Sequence, residues 1–144
     1  MFAEYNYDFF PIIKVKLNNA DNDNDFDNFL QSWLNLYIQQ KDFTFIFDTT
    51  NVSDVPFKYS IRMADFIRRL KKDNSYHYLQ KSIIIVNNVF VKRMLNIIFK
   101  IQSPVAPVYI LDDEKQEYIN SILNNENIQG ITCIMPGKSY IPFL

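Results

Sequence analysis

The sequence predicts an α/β layered domain, a β-α-β-α-β-α-β-α succession with a mainly parallel central sheet and helices packed on it. Three observations carry this. Short runs of β-branched and aromatic residues alternate with longer stretches whose apolar positions recur every three or four residues. Clusters of Asp, Asn, Ser, Thr or Pro close most of these runs, so each element ends before the next begins. The chain, 144 residues long, suits one domain with a core of ordinary size. Strict alternation implies parallel strands joined by right-handed crossovers and leaves the strand order open.

Taken in order, Phe9–Leu17 (FFPIIKVKL) is the first strand. Ile13, Val15 and Leu17 alternate with Lys14 and Lys16, which leaves one face wet, and Pro11 places the run near an edge or a strand start. After a polar loop, Phe26, Phe29, Leu30, Trp33, Leu34 and Tyr37 trace a helical stripe from Asp25, with Asn24 or Asp25 as its cap. Phe43–Phe47 is a buried strand that stops at Asp48-Thr49-Thr50-Asn51. Beyond Pro56, Phe57, Ile61, Ala64, Ile67 and Leu70 form one face of a second helix that fades near Lys72. Ser82–Val86 is a third buried strand, and Asn87-Asn88 caps a third helix from about Val89 to Gln102. Val108–Leu111 is a fourth strand. Asp112-Asp113-Glu114 sets negative charge at the start of a last helix, and Ile131–Met135 adds a short edge strand.

Composition narrows the class. An apolar content of 48% and an aromatic content of 16% belong to a packed domain rather than a disordered one. No apolar run reaches the roughly 20 residues of a membrane span, and the first residues lack the pattern of a secretory signal. The single cysteine, Cys133, excludes an internal disulfide, so a reducing, cytoplasmic setting is the expectation. Nineteen Ile and 16 Asn against 2 Gly and 4 Ala point to an AT-rich genome, as in some protists, bacteria and large DNA viruses. That bias weakens any functional reading of a lone Asn. Residues 58–100 hold ten Lys and Arg against Asp65 and Asp73, while the remainder holds five bases and fourteen acids. Such a dipolar chain can steer an acidic partner or associate head to tail; the plainer reading is solvated helix faces.

Few motifs carry chemistry. Asp21-Asn22-Asp23-Asn24-Asp25 starts like a calcium loop, but Phe26 takes the glycine position and Ser32 the glutamate position. Gly137-Lys138-Ser139 has Thr132 where a phosphate loop needs its first glycine, and no room for a following helix. A single histidine, His77, excludes a multi-histidine metal centre and reads as a surface residue; Cys133 reads as a buried, inert thiol. Two glycines cannot supply a dinucleotide loop. No metal or cofactor is implied. Arg68, Arg69, Lys71 and Lys72 are candidate anion contacts, although bases at a helix C-terminus also complement its dipole and no nucleic-acid motif frames them. The third helix is richer in apolar residues than one stripe needs. Phe90, Met94, Ile97, Ile98 and Phe99 therefore form a candidate apolar interface or pocket.

The order of elements, with Phe45-Ile46-Phe47-Asp48-Thr49-Thr50-Asn51-Val52, resembles the STAS domain, the fold of anti-sigma-factor antagonists and anion-transporter cytoplasmic domains. SIIIVNN before the third helix and PVYILDDEKQEYINSIL fit the same frame, so the likeness runs from about Ile12 to Leu123. The resemblance implies a non-enzymatic, regulatory protein-interaction module acting through Asp48, Thr49, Thr50, Asn51, Ser53 and Asp54 and the adjoining helix faces. Antagonists of that family carry an Asp-Ser-(Ser/Thr)-Gly motif whose serine is phosphorylated; Asn51-Val52-Ser53-Asp54-Val55-Pro56 lacks the Asp-Ser pair and the glycine. The N-terminal hairpin of the family is expected here as one strand. An alternative is a small-molecule or lipid-binding domain of the layout seen in CRAL-TRIO carriers, with Phe90, Met94 and Phe99 lining the pocket. An enzyme using Asp48 and Thr49 is a third reading, with no second catalytic group in sight.

Overall fold

The computed structural model describes residues 1–126 and 129–137, which form six strands and four helices. In chain order these are β1 (Ala3–Asn6), β2 (Ile12–Leu17), α1 (Asp23–Ile38), β3 (Phe43–Asp48), α2 (Phe57–Asp73), β4 (Leu79–Ile85), α3 (Val89–Ile101), β5 (Val108–Leu111), α4 (Gln116–Leu123) and β6 (Thr132–Ile134). The strands lie in one mixed sheet whose spatial order is their chain order. The four central strands, β2 to β5, run parallel, and an antiparallel strand closes each edge.

A sequential order has a consequence. Right-handed crossovers between successive neighbours put every connecting helix on the same side of the sheet. Accordingly α1, α2 and α3 share one core with Phe43, Phe45 and Phe47 of β3 and with Val15, Ile84 and Val108 of β2, β4 and β5. The opposite face is covered only in part. There α4 packs Ile119 and Ile122 on Ile46, Ile83, Ile85 and Leu111. Lys14 and Lys16 of β2 remain exposed on that side.

The first difference from expectation is at the N-terminus, where a hairpin replaces the single strand. β1 pairs with β2 from Ala3↔Leu17 to Asn6↔Lys14. Ala, Glu and Asn are poor strand formers, so Ala3-Glu4-Tyr5-Asn6 carries little local signal. Tertiary contacts hold it instead. Tyr5 donates its hydroxyl to the Phe29 carbonyl at 2.9 Å, and the Phe2 ring packs edge-on against Phe29. The second difference is at α1, capped by Asn22 rather than Asn24 or Asp25; its side chain accepts from Asp25 N at 3.0 Å. At the last helix, the Asp112–Glu114 acids precede the helix, since α4 starts at Gln116.

The third difference concerns α2. Phe57 and Ile61 are exposed, and the buried side is built from Tyr59, Ser60, Ala64, Phe66, Ile67 and Leu70. The helix is turned by its contacts with α1. Tyr59 lies on Phe26 with ring centroids 4.7 Å apart and donates to Asp23 at 3.0 Å, while Phe66 meets Trp33 at 5.3 Å. Lys58 and Arg62 reach back to Asp23 and Asp27. Two of the six bases of α2 therefore answer acids of α1.

Candidate functional site

The segment from Asp48 to Pro56 leaves β3 at the carboxyl end of the parallel strands, where open α/β sheets place their ligands. Successive strand residues point to opposite faces, and this separates Asp48 from Thr49. Asp48, half-buried on the α4 side, accepts the Thr50 backbone N–H at 2.9 Å and the Thr50 hydroxyl at 2.7 Å. Thr49 turns inward. It is 2% exposed, and its hydroxyl donates to the Ile85 carbonyl at 2.7 Å. That hydroxyl is committed to the link between β3 and β4, so Thr49 leaves the set of residues a partner could touch.

Side chains from two neighbouring connections hold the remainder of the turn. Asn19 accepts from Ser53 N at 2.9 Å and Asp54 N at 3.3 Å, and its amide donates to the Ser53 hydroxyl at 2.9 Å. Asn51 donates to Asn18 at 3.2 Å. Asn88 caps α3 by accepting from Val91 N at 2.9 Å, and its amide donates to the Val52 carbonyl at 2.7 Å. A carboxamide both donates and accepts, which is what a turn with free groups of both kinds requires. Asn18 and Asn19 escaped the sequence reading because an Asn pair after a strand is the ordinary signature of a loop. The turn thus presents Thr50, Asn51, Ser53 and Asp54 on a pinned backbone.

The predicted apolar group of α3 divides. Ile98 and Phe99 are buried in the core, Met94 and Ile97 are half-buried, and Phe90 is exposed, as is Ile101 at the far end. At 100° per residue, Phe90, Met94, Ile97 and Ile101 fall on one flank of α3. Lys92, on the other flank, reaches Asp112 beyond β5, so the apolar flank faces α2. On α2 the side given by Tyr59, Arg62 and Phe66 faces α1, which turns Phe57, Ile61 and Ala64 toward α3. The two sets border one groove between α2 and α3. One end of that groove meets the pinned turn, since Phe57 follows Pro56 and Phe90 lies two residues after Asn88.

The predicted anion contacts do not stand together. Arg68 and Arg69 both pair with Asp65, whose carboxyl the Arg69 hydrogen bond and the Arg68 charge hold below its ordinary range. Lys71 donates to the Ser103 hydroxyl at 2.6 Å, leaving Lys72 exposed. On α3, Arg93 and Lys100 are exposed and no acid pairs with them among the described residues.

Two further readings change. His77 is half-buried rather than on the surface, with Nδ1 2.9 Å from the Tyr37 hydroxyl; burial and then the Lys71 charge push its pKa down. It precedes β4 at the amino end of the sheet, about 20 Å of strand from Asp48, so the two cannot act on one substrate. Cys133 is exposed on edge strand β6 rather than buried, although partial desolvation still raises its thiol pKa. Of Gly137-Lys138-Ser139, the last two lie outside the described residues.

Among the described residues, no helix is long and apolar enough to cross a membrane. Compared with protein-family models, curated proteins and solved structures, the chain matches none.

Proposed function

We propose that this chain is a non-enzymatic, STAS-like interaction module that docks an acidic, amphipathic segment of a partner protein along the α2/α3 groove and against the Asp48–Pro56 turn. The observation that carries the reading is the outer face of the two helices. Phe57, Ile61, Phe90 and Ile101 are 63%, 41%, 53% and 56% exposed, and the helical period sets them along the facing flanks of α2 and α3. Large apolar side chains scattered singly need no explanation, whereas a contiguous row marks an interface. The chemistry of the partner follows from the rim. α3 contains no acid, and Arg93 and Lys100 have no acidic partner among the described residues. A second copy docking through the same face would set these cations against each other, so the charge favours an acidic partner over a symmetric dimer. The turn supplies polar contacts at one end of the groove on a backbone that needs no ordering, which lowers the cost of association. The hairpin at the N-terminus and the alternating order after it support the STAS resemblance.

The test uses two synthetic helical peptides with the same Leu/Phe ridge, one flanked by Glu and one by Lys. Fluorescence polarisation should show saturable binding of the Glu peptide that weakens with salt, and little binding of the Lys peptide. Phe90→Ala and Ile61→Ala should each weaken the Glu peptide about tenfold, and Thr50→Ala or Ser53→Ala by less. Equal binding of both peptides, or variants that fold and bind as the parent does, would remove the reading. A dimer in native mass spectrometry that Phe90→Asp dissociates would reassign the face to self-association.

A further inference from the structure

Under the exposed groove lies a second feature, in the interior. An apolar cavity of about 110 Å³ runs between the sheet and the helices α1 to α3. Protein interiors are packed with few voids larger than a water molecule, and an apolar cavity of about 150 Å³ is enough to hold benzene. This one is drawn out along the strands. Its lining begins at Asn18, Asp54 and Pro56, at the carboxyl ends of β2 and β3, and finishes at Pro104, Val105 and Ala106, at the amino end of β5. Asp54 and Pro56 are the exposed members of the lining, so the entrance lies beneath the pinned turn.

The wall also contains the sole tryptophan. Trp33 is 5% exposed, and its Nε1–H is the one buried side-chain polar group among the described residues without a hydrogen-bond partner. Leaving such a donor unsatisfied is costly, and native proteins rarely tolerate it without a ligand, water or ion to accept the bond. The surrounding rings, Phe45 and Phe66 among them, offer no acceptor of comparable strength. Met63 and Met94 line the same space, and their flexible thioethers adapt to an occupant. Among the described residues no Lys, Arg or His lines the cavity, and Asp54 stands at its mouth, which disfavours an anionic head group.

We propose that the space between the sheet and the helices is a binding site for a neutral, unbranched aliphatic molecule bearing one hydrogen-bond acceptor, which enters beneath the 52–56 turn and accepts the bond from Trp33 Nε1–H. The site is distinct from the outer groove: Met94 borders both, whereas Phe90 belongs to the groove alone. It does not depend on the interaction reading.

One tryptophan gives one indole cross-peak in a ¹H–¹⁵N correlation spectrum, so the full chain reports on its own site. The probes are 2-butanone, neutral with one acceptor and small enough for the cavity, and butanoate at pH 7, charged. The ketone should shift the indole peak saturably to lower field and raise the melting temperature; butanoate should do neither at the same concentration. Ala106→Leu, which fills the far end of the cavity, should abolish both effects. Trp33→Phe, followed by melting temperature, should bind the ketone roughly fivefold to tenfold more weakly. A Leu variant that does not fold leaves the Phe variant as the deciding measurement. The proposal fails if the ketone gives no saturable change, if butanoate binds as well as the ketone, or if Trp33→Phe binds with unchanged affinity. Neither interior substitution alters the outer groove, so a loss of ketone binding with intact peptide binding, or the reverse, separates the two sites.

Discussion

The two faces of the sheet are built from the same strands and to different standards. On the helix-covered face, β3 contributes Phe43, Phe45 and Phe47, and Trp33, Phe29, Phe66 and Tyr37 close over them in a continuous set of edge-to-face and tilted ring pairs. On the other face the same strand contributes Thr44, Ile46 and Asp48, and α4 covers it together with β4 and β5 while β2 keeps its lysines in water. Aromatic rings bury large areas but pack with fixed geometry, so a layer made of them fills space imperfectly. The smaller face is mostly aliphatic, built from Ile46, Ile83, Ile85, Leu111, Ile119 and Ile122. In this protein the larger core is the one that lines the apolar cavity between the sheet and the helices. Size of core and completeness of packing are separate quantities.

The largest effect that would break this contrast is on the aromatic face. Phe45 is fully buried, 4.9 Å from Trp33, 5.1 Å from Phe43 and 4.7 Å from Phe47 between ring centroids. Phe45→Ala should lower unfolding stability by about 3–5 kcal/mol in urea titration, against a smaller loss for a one-methyl change on the other side. That smaller change is Ile122→Val in α4, where about 0.5–1.5 kcal/mol is expected. Equal losses would mean that the aromatic layer is looser than its ring contacts suggest.

A smaller effect sharpens the comparison at the margin of the aromatic face. His77 bridges to Tyr37, and its pKa is lowered in the folded chain by burial and by Lys71. As the pH falls below its ordinary value of about 6.5, the unfolded chain binds the proton first, so stability is present above that pH and declines below it. The melting temperature of the parent should therefore drop further between pH 7.5 and pH 5.5 than that of His77→Gln. A parallel drop in both proteins would show that other groups dominate the acid response.

The sequence was legible where the physics is local. The strand Phe43–Asp48, the helix cap at Asn88 and the edge strand near Cys133 each follow from residues within a few positions of one another. The Asp48–Pro56 turn was readable as a turn for the same reason. What held it was not, because Asn19 lies 34 residues from Ser53 and nothing in an Asn pair announces which backbone it will meet. Thr49 and Thr50 look alike in the sequence. One became a structural bond to β4 and the other an exposed hydroxyl through the alternation of the strand and the depth at which β3 sits.

Periodicity, turn formers and caps determined by themselves that this chain alternates strands and helices in an α/β arrangement, since hydrophobic period and backbone preference act over a single turn or pleat. Tertiary structure alone decided three matters. It added β1, a poor strand by propensity that Phe2 and Tyr5 anchor to α1. It chose Tyr59 and Phe66 over Phe57 and Ile61 as the buried side of α2, because α1 offered rings and carboxylates to meet them. It also left an indole N–H without a partner beside an apolar cavity, a condition that exists only when residues far apart in the chain have packed around the same space.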